Sequence, residues 1–138
     1  MKRILFIFFV IIMVVSCRKT SSEQVTENLM NTIITSARWK VGVWTDSSGV
    51  VNIQQWRGYS FQFYSNSNVD VYKDSTVYAT GTWSSNISDT TLSAQFPASV
   101  NDTIKKLNGV WRWTSGFTTY VNVTHTVTLA QLHLIQQQ

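Results

Sequence analysis

Tyr59-Ser60-Phe61-Gln62-Phe63, a break at Ser65-Asn66-Ser67-Asn68, and then Val69-Asp70-Val71-Tyr72 decide the fold of this chain. Tyr59, Phe61 and Phe63 share one face, and Ser60 and Gln62 share the other. That period of two is the mark of a strand with one buried side. The four polar residues between the runs suit a hairpin turn, and Val69 and Val71 resume the alternation against Asp70 and Tyr72.

The same pattern extends in both directions. Upstream, Trp39, Val41 and Val43 share a face opposite Arg38 and Lys40, and Asp46-Ser47-Ser48-Gly49 is a turn signal. Val51 and Ile53 suggest a further strand. Downstream, Val77, Ala79, Gly81 and Trp83 alternate with Tyr78, Thr80 and Thr82; Leu92, Ala94 and Phe96 alternate with Thr91, Ser93 and Gln95. The interval from Ala98 to Asn108 interrupts the strands. Trp111 and Trp113 then oppose Val110 and Arg112, and Val121, Val123, His125, Val127 and Leu129 alternate to the end of a long run. Leu132 and Leu134 carry the apolar side in the opposite phase, so a bulge or strand break is expected near Ala130. Before the strands, Val25, Leu29, Ile33 and Ser36 fall at helical spacing, so a short helical segment is expected within 25–36.

Eight or so short strands with polar turns describe an all-β domain, an antiparallel β-barrel or, alternatively, a β-sandwich. From Trp39 onward the order of features resembles the lipocalin-like domains of small bacterial lipoproteins. An early Trp strand, Phe61-Gln62-Phe63 before a polar turn, Gly81-Thr82-Trp83, and Leu107-Asn108-Gly109-Val110-Trp111 carry the likeness. Lipocalins proper have Gly-x-Trp at the first strand, where this chain has Ala37-Arg38-Trp39. The resemblance implies an up-and-down antiparallel barrel with room for a small cavity.

The N-terminus reads as an address. Lys2 and Arg3 precede twelve apolar residues, Ile4 to Val15, too few to span a bilayer but the length of a signal-peptide core. Val14-Val15-Ser16-Cys17 resembles the lipobox of bacterial lipoproteins. The resemblance implies transfer of a diacylglyceryl group to the Cys17 thiol, cleavage between Ser16 and Cys17, acylation of the freed amine by a palmitate-type chain, and, with Arg18 rather than Asp next, sorting to the outer membrane. The expected organisation is a signal peptide at 1–16, a tether and short helix at 17–36, and a β domain at 37–138.

Cys17 is the only cysteine, so no internal disulfide forms and packing must supply stability. Of eleven Lys and Arg, Lys2 and Arg3 leave with the signal, so nine face seven Asp and Glu. That scattered balance gives no nucleic-acid footprint. The membrane partner is expected through the lipid on Cys17.

Candidate ligand contacts are Trp39, Arg57, Tyr59, Phe61, Phe63, Trp83, Trp111, Trp113 and His125. The aromatics, with Phe96, fall on inward faces, and Arg57 could hold an anionic head group at a cavity mouth. The bland alternative is that these rings fill the barrel, with His125 a hydrogen-bonded core residue and Arg57 a rim residue reaching water. Trp44, Trp56, Tyr64, Tyr72 and Tyr78 fall on outward faces and could form a contact patch. No nucleophile elbow, zinc-protease motif or phosphate loop occurs, and two histidines eight residues apart make no metal spacing. The expected function is therefore non-catalytic: a lipid-anchored barrel holding a small apolar or amphipathic ligand, without cofactor, or a solid interaction module working through its outer aromatics.

Overall fold

The computed structural model describes residues 29–138. The signal peptide expected at 1–16, Cys17 and the tether expected after it lie outside the described residues. A helix, α1, runs over 29–35. Eight strands come after it: β1 (Arg38–Thr45), β2 (Tyr59–Phe63), β3 (Asn68–Lys73), β4 (Thr76–Asn86), β5 (Thr91–Gln95), β6 (Gly109–Phe117), β7 (Tyr120–His125) and β8 (Gln131–Gln136). A four-residue helix, α2 (Asp102–Lys105), interrupts β5 and β6, and one 3-10 turn covers Gln54–Trp56. Each strand pairs antiparallel with the next and β8 pairs with β1, which closes the barrel. Closure removes the sheet edges that a sandwich would leave, and it settles the choice between barrel and sandwich.

The hairpin that decides the fold forms as its alternation dictates: Tyr59↔Lys73, Phe61↔Val71 and Phe63↔Val69 are directly paired. Phe61, Val69 and Val71 are fully buried. α1 closes one end of the barrel. It buries Met30, Ile33 and Ile34, while Leu29 points outward, so its inner face is one residue out of step with the Val25–Leu29–Ile33 spacing. Trp39 pins it there, its indole N–H donating to the Ile34 carbonyl at 2.7 Å.

Three bulges correct the face assignments made from simple alternation. One extra residue stands in β1 at Gly42, one in β4 at Tyr78 and one in β6 at Thr114. Each reverses the side-chain phase of the strand residues beyond it. Val43, expected inside, is therefore 41% exposed, and Trp44, expected outside, is buried. Val77 turns outward for the same reason on the far side of the β4 bulge. Val51 and Ile53 form no strand: Val51 makes a single bridge to Thr45 and the chain then enters the 3-10 turn. That turn carries Trp56 inward, against its expected outward position, and leaves it 2% exposed. The run from Val121 ends as a strand at His125. Val127 and Leu129 sit exposed in a turn, and Gln131 opens β8, so the phase change near Ala130 is a strand break.

Candidate functional site

The candidate residues fall in the barrel interior and in a groove where β1 and β2 part. Loops 46–58, 96–108 and 126–130 gather at the end opposite α1, where β1 finishes and β2 begins. An aromatic chain plugs that end. Trp44 packs on Trp56 at 5.0 Å between ring centroids and on Trp111 at 5.9 Å; Trp56 meets Phe61 at 6.4 Å. His125 stands edge-on to Trp111 at 4.8 Å. Tilted and edge-to-face rings at these separations are the favoured arrangements.

Between this plug and α1 the interior holds a cavity of about 40 Å³, bounded by Ile34, Phe61, Phe96, Leu107, Trp111 and Leu134 among others. Its other lining side chains are apolar apart from Ser93. Small-molecule pockets measure roughly 300–1,000 Å³.

The interior aromatics are spent on structure. Trp39 bonds to α1, Trp111 Nε1 donates to the Leu107 carbonyl at 2.9 Å, and Trp83 Nε1 donates to the Tyr64 carbonyl at 2.9 Å. Phe63 meets Trp83 edge-on at 5.6 Å. Trp113 is half-buried beyond the centre, its ring lying over Gly116. His125 is fully engaged: Nδ1 accepts from the Val127 and Thr128 amides at 3.2 and 3.1 Å, so Nε2 carries the proton and donates to the Asn108 carbonyl at 3.2 Å. Gly109, at φ +124°, leaves the room this ring needs; a Cβ there would overlap His125 Nε2.

The groove has a different character. β1 pairs with β2 only at Arg38↔Gln62 and Trp39↔Phe61, then continues to Thr45 on β8 alone. Beyond Trp39 the β2-facing edge of β1 has loop 46–58 beside it, joined by the Thr45–Val51 bridge and by the Asn52 amide donating to the Trp44 carbonyl at 3.1 Å. The opening is about 340 Å³, lined by Lys40 and Val41 of β1 and by Ile53, Gln54 and Trp56 to Tyr59 of the loop and β2. Arg57 and Tyr59, two sequence candidates, meet here; Lys40 and Trp56 were missed as partners because neither the strand parting nor the 3-10 turn has a signature in the pattern.

Cations gather at this rim. Lys73 Nζ sits 4.2 Å over the Tyr59 ring and donates to the Arg57 carbonyl at 2.6 Å, and Lys106 Nζ donates to Gln55 Oε1 at 2.6 Å. Asp74 is the acidic neighbour, its carboxylate lying against Gly58. Among the described residues the one ion pair joins Lys105 and Asp102 at 3.3 Å, so Lys40, Arg57, Lys73 and Lys106 have no carboxylate within 4.0 Å. Trp56 Nε1 is buried and has no hydrogen-bond partner among the described residues.

The outward tyrosines form no platform. Tyr64 and Tyr72 are half-buried and share a hydroxyl contact of 3.3 Å, while Arg38 stacks 3.6 Å above the Tyr72 ring. The Tyr72 hydroxyl, burial and the nearby Asp70 charge together hold the Tyr64 pKa above the ordinary tyrosine value. Tyr78 is exposed near Tyr59, at 6.0 Å between ring centroids.

A DUF4847 family protein from Bacteroides vulgatus matches with a TM-score of 0.59 at 14% sequence identity, over 79% of this chain and 99% of that one. A lipocalin-like protein from Bacteroides uniformis matches with a TM-score of 0.56 at 11% identity, over 75% of this chain and 99% of that one. The fold is lipocalin-like. No family model and no curated protein matches the sequence. At these identities the likeness concerns the barrel, and a lipocalin-like barrel does not by itself name a ligand.

Proposed function

We propose that this protein is a lipid-anchored, non-catalytic lipoprotein of the cell envelope, held at the outer membrane through Cys17. Its lipocalin-like barrel is a solid scaffold that meets partners at its outer surface. The interior void of about 40 Å³ carries this reading; it is several-fold below what a small ligand needs. The order of Lys2-Arg3, the apolar run and Val14-Val15-Ser16-Cys17 supports the anchor. Two or three acyl chains on one residue would make attachment effectively permanent, since each buried methylene contributes about 0.8 kcal/mol.

The competing reading, a small apolar ligand between Trp39, Phe61 and Trp111, draws on the lipocalin-like fold alone. Native mass spectrometry of the protein extracted from its host in detergent separates the two. The expected mass is that of the chain from Cys17 plus acyl groups, with nothing else bound. A co-purified apolar molecule, or an unacylated Cys17, would overturn the proposal.

A further inference from the structure

We infer that the groove between β1 and β2 is a binding site for an oxyanion, a phosphate or carboxylate group, gripped by Arg57 and Lys40. The inference rests on the reading of the barrel as a scaffold that works from its outside.

Three separate observations converge on it. First, the sheet itself makes the space: β1 loses β2 after Trp39, and the 340 Å³ opening that results falls within the range of small-molecule sites. Second, Lys40 and Arg57 both line the opening with no carboxylate within 4.0 Å among the described residues, and Lys73 adds its charge one residue from Asp74. A guanidinium offers a planar fork that matches two oxygens of one phosphate or carboxylate, while an ammonium acts as a point charge beside it. Third, the wall of the same groove contains Trp56, whose buried Nε1 lacks an acceptor. A buried donor left unpaired is costly, and nearly all such groups in folded proteins are satisfied. With a small shift of the Trp56 ring, which now buries that nitrogen completely, an arriving oxygen would supply the missing acceptor.

The apolar sides of Ile53, Trp56 and Tyr59 set the ligand class further. They would receive the organic body of a small phosphorylated or carboxylated molecule, or the glycerol portion of an anionic lipid headgroup. Asp74 opposes a second negative charge on the Gly58 side, so one oxyanion group per site is expected.

The test is a titration of the full acylated protein in zwitterionic micelles, with its six tryptophan indole N–H signals resolved by nitrogen-15 labelling. Inorganic phosphate is added at constant ionic strength against chloride. The Trp56 signal, assigned from its loss in Trp56→Phe, is expected to move downfield and saturate in the millimolar range. Trp39 and Trp83, at the α1 end, stay still. Arg57→Gln and Lys40→Gln, both exposed, keep the fold and weaken binding about tenfold each. A second arm adds vesicles of phosphatidylglycerol or of phosphatidylcholine alone. Displacement of phosphate by the anionic vesicles alone assigns the site to a lipid headgroup, and no displacement by either assigns it to a soluble anion. A Trp56 signal that does not move, or variants that titrate like the parent, overturns the inference. A ligand found inside the barrel would overturn the scaffold reading instead and leave the Trp56 result untouched.

Discussion

Replacing single tryptophans by phenylalanine should cost very different amounts at two buried positions. Trp39 and Trp56 are both 2% exposed or less, and each loses a similar slice of indole, about 1–2 kcal/mol of apolar contact and packing. Trp39 Nε1 also donates to the Ile34 carbonyl at 2.7 Å, and Ile34 is fully buried. Trp39→Phe therefore leaves a buried acceptor unpaired, a further 1–3 kcal/mol or so. The expected total is about 3 kcal/mol. Trp56→Phe removes a donor that has no acceptor, so relief of roughly 1–3 kcal/mol offsets the lost packing. Its net effect should lie within about 1 kcal/mol of zero. Urea unfolding of the unliganded domain, followed by far-ultraviolet circular dichroism, measures both. Equal destabilisation by the two variants would refute the argument, because it would mean the Trp56 N–H is as well satisfied as the Trp39 N–H.

Gly81→Ala should cost about 2 kcal/mol or more in the same assay, since its Cβ would stand 2.6 Å from the Gln95 carbonyl oxygen, a backbone atom that cannot rotate away. Gly109→Ala should be as damaging, through both the positive φ and the overlap with His125, and His125→Ala should partly rescue it in a double-mutant cycle. Tyr64 should stay protonated when an ordinary tyrosine ionises near pH 10, visible as a delayed component at 295 nm that Tyr72→Phe removes. Because its folded pKa is raised, the unfolded chain gives up that proton first. The contribution is complete below pH 10 and fades as pH climbs from there toward the folded value; a pH-independent unfolding midpoint across that window would contradict it.

The barrel was legible because its strands alternate strictly where they are unbroken. Phe61, Val69, Val71, Leu92, Trp111, Val121 and Val123 are buried as their period requires. What escaped the pattern lies beyond the bulges. Gly42, in the middle of a strand, is the one local warning in β1, since glycine inside a strand often marks such a place; past it Val43 and Trp44 exchange faces. The bulges at Tyr78 and Thr114 carry no such sign, because their extra residues are ordinary strand formers. The groove escaped for a different reason. It exists only because β2 begins at Tyr59 while β1 runs on to Thr45 beside β8, and the length of overlap between two strands is a tertiary property. Arg57 and Tyr59 were picked out by their types, but Lys40 and Trp56 join them only through the fold.

The central claim is that the barrel is filled by its own side chains. Diffraction from crystals grown with a saturating long-chain fatty acid tests it most directly. Ordered rings of Trp44, Trp56, Phe61 and Trp111 are expected across the end opposite α1, with no extended density along the barrel axis. An acyl chain running from that end toward Ile34, with the Trp44–Trp56 stack swung aside, would contradict it.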